Sequence, residues 1–248
     1  MTPIGKKRNV PQNSELWPLF RAIATGDEVT AVRLLDASPS LASDAMHDGA
    51  TRESAAASYL DIIEHYVYAG DTASHIAAAA YRADIARELV ARDASLAARN
   101  RRGAEPLHYA ADGIPGSKRW NPEAQARTIE YLARAGADPN SMDKSGVTPL
   151  HRAVRTRCAA AVEALLAHGA DPRRKNGSGS TPLHLAVQTT GRGGGGTDDA
   201  RQQQTLIIRA LVEHGARLTE TDSRGRTVTE CVRNETLRRI LLQRPERP

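Results

Sequence analysis

Apolar positions recur at helical spacing along most of the chain, in short bursts separated by polar stretches. Ile129 with Leu132, Val162 with Leu165 and Leu166, and Ile208 with Leu211 and Val212 each mark one face of a helix. These bursts run into related segments: Ala135-Gly136-Ala137-Asp138-Pro139-Asn140, Ala167-His168-Gly169-Ala170-Asp171-Pro172 and His214-Gly215-Ala216. A glycine at a helix end takes the left-handed conformation that a Cβ opposes. Polar residues without periodicity follow, such as Asp171 to Ser180, and predict an extended turn. One further stripe, Tyr59, Ile62, Ile63, Tyr66 and Val67, is spaced i, i+3, i+4, i+7, i+8 and predicts an amphipathic helix of its own.

The bursts belong to a repeat. Thr148-Pro149-Leu150-His151 recurs 33 residues later as Thr181-Pro182-Leu183-His184. Glu105-Pro106-Leu107-His108 and, 33 residues before it, Thr72-Ala73-Ser74-His75 are variants. A glycine stands two residues before each copy, at Gly70, Gly103, Gly146 and Gly179; Gly225 with Thr227 marks a copy that has lost the Pro-Leu-His. Threonine caps a helix, and proline fits its first position, where no N–H partner is needed. Each period therefore reads as two short helices and a polar turn.

This pattern resembles the ankyrin repeat, from about Leu16 to the C-terminus. The resemblance implies an all-α solenoid of stacked helix–turn–helix units, with the first helices lining a concave face and turn fingers projecting from one edge. It also implies that His75, His108, His151 and His184 are structural and bond the neighbouring turn. We expect a polar tail over 1–16 and a solenoid over 17–248. Its units are 17–43, opening on Trp17-Pro18-Leu19-Phe20, then 70–102, 103–145, 146–178, 179–224 and 225–248, with an insertion carrying the extra helix at 44–69. The last unit ends in Leu237, Ile240, Leu241 and Leu242 among Arg238, Arg239 and Arg244, a charged face suited to a terminal cap.

Departures from the period are where a specific function can reside. Trp17 to Thr72 is 55 residues, Glu105 to Thr148 is 43 and Thr181 to Thr227 is 46, so insertions of 22, 10 and 13 residues are present. The first holds three of the six tyrosines, Tyr59, Tyr66 and Tyr68, and either seals the flank of the stack or offers a stripe to a partner. The second, 113–122, and the third, 189–200, fall between the helices of their units and flank the short basic loop 155–158 of unit 146–178. Their register predicts a notch with Arg155 and Arg157 at its floor, Lys118, Arg119 and Trp120 on one wall and Arg192 on the other. Arginine forks match carboxylates and phosphates, and an indole stacks on a base or sugar. Against that stands the plainer reading of solvated arginines with Trp120 anchoring its own loop.

Composition narrows the chemistry. Aromatics are 4% with a single phenylalanine, so alanine must fill much of the packed volume and helices must approach closely. Net charge is +5 at pH 7, which permits an acidic partner without requiring one. Two cysteines exclude a disulfide framework or a zinc finger. No secretory signal and no apolar run of membrane-spanning length is visible, which points to the cytoplasm and away from a membrane. Gly191, Gly193 and Gly196 satisfy a phosphate-loop spacing, but a helix rather than a strand precedes them, so they read as a loop. Cys158 has no base within reach, and no acid–base pair, metal cluster or cofactor motif stands out; we expect no enzyme, no cofactor and no metal.

Basic fingers occur at Arg99, Arg101 and Arg102 and at Arg173, Arg174 and Lys175, and the finger between them carries Asp138, Asp143 and Lys144. Alternating sign argues for a protein contact surface over a nucleic-acid stripe. The expected function is a non-enzymatic protein–protein interaction module acting through the concave face and fingers. The alternative is recognition of an anionic ligand or nucleic acid at the notch.

Overall fold

The computed structural model describes residues 15–51, 55–113, 117, 120–188, 197–232, 237, 238 and 241. Its helices come in pairs: α1 (Leu16–Thr25) with α2 (Glu28–Ala37), α3 (Ala73–Ala79) with α4 (Ala83–Val90), α5 (Pro106–Ala111) with α6 (Pro122–Arg134), α7 (Pro149–Arg155) with α8 (Ala159–Ala167), and α9 (Pro182–Ala186) with α10 (Asp198–Glu213). The single-turn α11 (Val228–Cys231) follows. First helices pack side by side in the order α1, α3, α5, α7, α9, α11, and second helices in the order α2, α4, α6, α8, α10. This is the expected all-α stack.

Most first helices are a turn or two long and would not hold alone in water. They are held by burial on both sides. Leu107, Ala110, Leu150, Ala153, Leu183 and Ala186 are all fully buried between neighbouring first helices, and Ile129, Leu132, Val162, Leu165 and Leu211 fill the second layer. Alanine on the first-helix faces sets the close approach of the two layers.

The recurring His ties each unit to the next. The backbone N–H of Thr72, Glu105, Thr148 and Thr181 donates to Nδ1 of His75, His108, His151 and His184 at 3.2–3.3 Å. An N–H can only donate, so Nδ1 is unprotonated and Nε2 carries the proton. Nε2 then donates to the carbonyl of Ala104, Val147, Ser180 and Arg226 in the following finger, at 3.0–3.3 Å. Each ring thus bridges its own helix cap and the next turn, and only the neutral ring can make both bonds.

A pH prediction follows. Burial, aided by the Arg152 guanidinium and opposed by the Val147 carbonyl, Asp143 and Asp112, holds His108 down at about 4, and burial also lowers His75, His151 and His184 below 6.5. The unfolded chain therefore binds protons near pH 6.5 that the folded chain refuses. The contribution of these rings is complete well above pH 6.5 and falls on acidification below it; for His108 the loss runs from pH 6.5 towards 4 at up to about 1.4 kcal/mol per pH unit. Urea unfolding at pH 7.5 and pH 5.0, where carboxylates are still mostly ionised, should show a loss of about 2 kcal/mol or more. Equal stability at the two values would rule out the neutral array.

The insertion over 44–69 departs from expectation. Instead of a helix it forms a short antiparallel hairpin, β1 (Tyr59–Leu60) against β2 (His65–Tyr66), preceded by a 3-10 turn at Ala56–Ser58. Leu60, which lies off the predicted stripe, is buried, whereas Tyr59 and Tyr66 on the stripe are exposed and lie ring against ring at 4.8 Å. Long-range backbone pairing decides this. Met46 N–H donates to Asp71 O at 2.8 Å, Gly70 N–H to Met46 O at 2.7 Å and Ala50 N–H to Val67 O at 2.7 Å, so the two ends of the insertion run back along each other. Aromatic and β-branched residues suit that extended state.

Candidate functional site

The fingers are built from one repeated device. Three residues before each finger glycine stands Asn100, Asp143, Asn176 or Asp222. Its Oδ1 accepts the backbone N–H groups two and four residues on: Arg102 and Ala104, Ser145 and Val147, Ser178 and Ser180, Arg224 and Arg226, all at 2.8–3.1 Å. Side-chain acceptors of this kind fix a tight turn. Adjacent fingers are then laced by their backbones, Arg101 N–H to Ala69 O at 2.7 Å, Lys144 N–H to Arg102 O at 3.0 Å, Gly177 N–H to Ser145 O at 2.9 Å and Ser223 N–H to Ser178 O at 3.3 Å. The tips therefore form a rigid row, with side chains at fixed spacing. Sequence reasoning missed these four Asn/Asp positions, although their constant offset from the glycine was a sufficient signal.

The hairpin lies against the first-helix layer of the N-terminal units. The His65 ring lies tilted against Tyr109 of α5 at 4.5 Å, and His75 of α3 meets the same ring edge-on at 5.1 Å. Beneath them the fully buried Asp71 carboxylate accepts from Tyr109 OH at 2.9 Å, Asn100 Nδ2 at 2.9 Å and Tyr68 N–H at 2.7 Å. One carboxylate so joins insertion, finger and helix layer. The turn Asp61–Glu64 closes over the ends of α1 and α3 and, with Tyr81, Arg82, Ser117 and Trp120, bounds a cleft of about 530 Å³. Here the face expected to receive a partner is covered by the chain itself.

Several predicted contact residues, all exposed, also make contacts within the chain. Arg101 donates to the Ala50 carbonyl of the insertion and lies over the Tyr68 ring at 5.2 Å. Arg102 lies over the same ring at 5.3 Å and donates to its hydroxyl at 3.3 Å. Arg99 reaches Glu105 at 2.9 Å and Ser141 Oγ at 3.2 Å, and Arg173 pairs with Glu220 at 2.7 Å. Lys144, Arg174 and Lys175 are exposed at the tips and make no ion pair among the described residues. Arg224 on the next finger is likewise exposed, and sequence reasoning did not single it out.

Of the predicted notch, the structure describes Arg155, Arg157 and Trp120. Arg157 adopts φ +61° and turns to the next unit, where its guanidinium donates to Ala186 O at 2.9 Å and Gln188 O at 2.8 Å. Arg155 is exposed and lies 3.6 Å from Asp112. Trp120 donates its indole N–H to Gln125 at 2.9 Å and lines the cleft beneath the hairpin turn. Lys118, Arg119 and Arg192, and the glycine loop Gly191–Gly196, lie outside the described residues.

Part of each later insertion lengthens a second helix, giving α6 13 residues and α10 16 against nine in α8. On these extensions Gln125 and Gln204, both buried, donate to the first-helix carbonyls of Ala110 at 2.9 Å and Ala186 at 2.7 Å. They occupy the register position that Cys158 holds in the uninserted unit. Burial pushes the Cys158 thiol up to about 11, so it is protonated at neutral pH. Among the described residues, no group of three or more His, Cys, Asp or Glu is placed to hold a metal ion, and no helix is long and apolar enough to cross a membrane.

Residues 122–222 match the family model described as ankyrin repeats, in three copies. No curated protein compared with the chain matches it.

Proposed function

We propose that this ankyrin-repeat protein is a non-enzymatic protein-binding module, which takes its partner on the finger tips and on the first-helix face that the hairpin leaves uncovered. Ankyrin repeats generally mediate protein–protein interaction. The observation that carries the reading is the laced row of fingers: Asn100, Asp143, Asn176 and Asp222 lock each turn, and backbone bonds lock each turn to the next. Side chains held in place before contact lose little conformational entropy on binding. The alternative of an anionic ligand in the notch has less support, because the donors of Arg157 are already engaged with Ala186 and Gln188. Free Cys158 and Cys231 suit a reducing compartment, and we place the protein in the cytoplasm.

Full-length protein immobilised and exposed to a native lysate should retain a discrete protein. Arg174→Ala should reduce that retention about tenfold, the loss of one central contact residue. Arg209→Ala, on the outer face of α10 where Arg209 pairs with Glu213, should leave it unchanged. Retention of nothing specific, or equal loss in both variants, would refute the module reading. Arg101 is a poor choice for this test, since its replacement disturbs the insertion as well as the fingers.

A further inference from the structure

Across the four finger segments 97–104, 137–147, 170–180 and 216–226 there are ten Arg and Lys side chains against five carboxylates. The carboxylates are bound up internally. Asp143 and Asp222 hold their own turns and pair with Arg152 at 3.1 Å and Arg226 at 2.7 Å. Asp171 accepts Arg173 N–H at 2.8 Å, Asp138 accepts Asn140 N–H at 2.8 Å, and Glu220 pairs with Arg173. Apart from Arg101 and Arg102, five cations have no such partner. Arg217 lies just past the end of α10, and Lys144, Arg174, Lys175 and Arg224 stand exposed on three consecutive fingers, all without an ion pair among the described residues.

Their position matters as much as their charge. In the N-terminal units the corresponding cations Arg101 and Arg102 are occupied by the insertion, through Ala50 O and the Tyr68 ring. There the chain supplies its own extended segment. Past residue 144 no such segment reaches the described fingers, and the cations face outward.

We propose that the fingers carrying Lys144, Arg174, Lys175 and Arg224 are a docking site for an extended acidic segment of a partner protein, an inference that rests on the module reading above. Three fingers at helix-pair spacing cover roughly 20 Å, the length of about six extended residues. A peptide is favoured over nucleic acid because base stacking has no platform here. The finger segments 137–147, 170–180 and 216–226 contain no aromatic residue, and Tyr68, beside the first finger, is already overlaid by two arginines.

The test uses the full chain and three fluorescent probes: octaglutamate, octalysine and a twelve-residue oligothymidylate, each titrated at 50 and 300 mM salt. Octaglutamate should bind at low salt and weaken at high salt, since exposed charges are screened beyond about 10 Å at 0.1 M. The double variant Arg174→Glu, Lys175→Glu should weaken it at least tenfold; octalysine should not bind. The double variant Arg127→Glu, Arg209→Glu, at exposed positions of α6 and α10, serves as a charge-matched control and should change the affinity little. Absence of octaglutamate binding, or equal weakening by the control, overturns the proposal. So does oligothymidylate binding as tightly and with the same sensitivity to the double variant, which would assign the fingers to nucleic acid. If Arg174→Ala abolishes capture of a lysate protein that octaglutamate fails to displace, the acidic assignment falls and the module reading stands. If octaglutamate binds as described while the lysate yields nothing, the finger chemistry stands and the module reading falls.

Discussion

Replacing Gly179 by alanine is expected to destabilise the fold by about 3 kcal/mol, whereas the same change at Gly169 should cost about 1 kcal/mol. Both residues have left-handed φ, +71° and +88°, a conformation that costs an L-residue roughly 1–2 kcal/mol. They differ in what a Cβ meets. At Gly169 nothing lies within 4 Å. At Gly179 the Cβ would stand 2.5 Å from Ser223 N and 3.0 Å from Ser223 Cα, both backbone atoms of the next finger. No rotamer change relieves that contact. The finger 216–226 must move away, and Ser223 N–H to Ser178 O is the bond that gives way. Forcing extra atoms into a packed interface adds about 1–3 kcal/mol. Urea unfolding of the two variants side by side isolates the packing contribution from the conformational one. Equal losses would mean that the fingers are not held in register by close approach. Gly179→Ala should also separate Lys175 from Arg224, so octaglutamate binding should weaken in it even where the chain remains folded.

Local chemistry made most of this fold legible. Thr148-Pro149 and Thr181-Pro182 open helices because threonine caps and proline tolerates the first turn, and those conditions lie within four residues of each other. His151 and His184 could be assigned a bridging role only through the resemblance to the ankyrin repeat. The hairpin was not legible. The stripe Tyr59, Ile62, Ile63, Tyr66 and Val67 matches a helix by periodicity, but what selects the hairpin is pairing of Met46 and Ala50 with Asp71 and Val67, some twenty residues away. Nothing in a local window reports that. The internal contacts of Arg101, Arg102 and Arg157 were hidden for the same reason. Their partners are a tyrosine ring and backbone carbonyls in other units, so from sequence they are indistinguishable from Arg174 and Lys175, which make no ion pair among the described residues.

The second large effect is expected at Arg152, which holds two units together from inside. Its guanidinium donates to Asp112 at 2.7 Å, at the end of α5, and to Asp143 at 3.1 Å, in the following finger. The arginine is only 8% exposed. Arg152→Leu fills the space with apolar volume but leaves both carboxylates without their cation. Breaking a buried pair by removing one member costs about 3–5 kcal/mol. The lower end applies here, because Asp143 keeps the N–H groups of Ser145 and Val147 and Asp112 keeps Arg155 nearby. The loss is therefore expected at about 3 kcal/mol, and it should be recoverable. Asn100 and Asn176 hold the equivalent turns through Oδ1 without any charge, so Asp143→Asn preserves the finger while removing the stranded anion. The double variant Asp143→Asn, Arg152→Leu should regain at least half of what Arg152→Leu loses, a coupling that a double-mutant cycle in urea reads directly. Additive losses, or a single variant within about 0.5 kcal/mol of the native chain, would show that the ion cluster does not hold α5, α7 and the 137–147 finger together. Lys144 sits on that finger, so Arg152→Leu should also weaken octaglutamate binding, and the double variant should restore it.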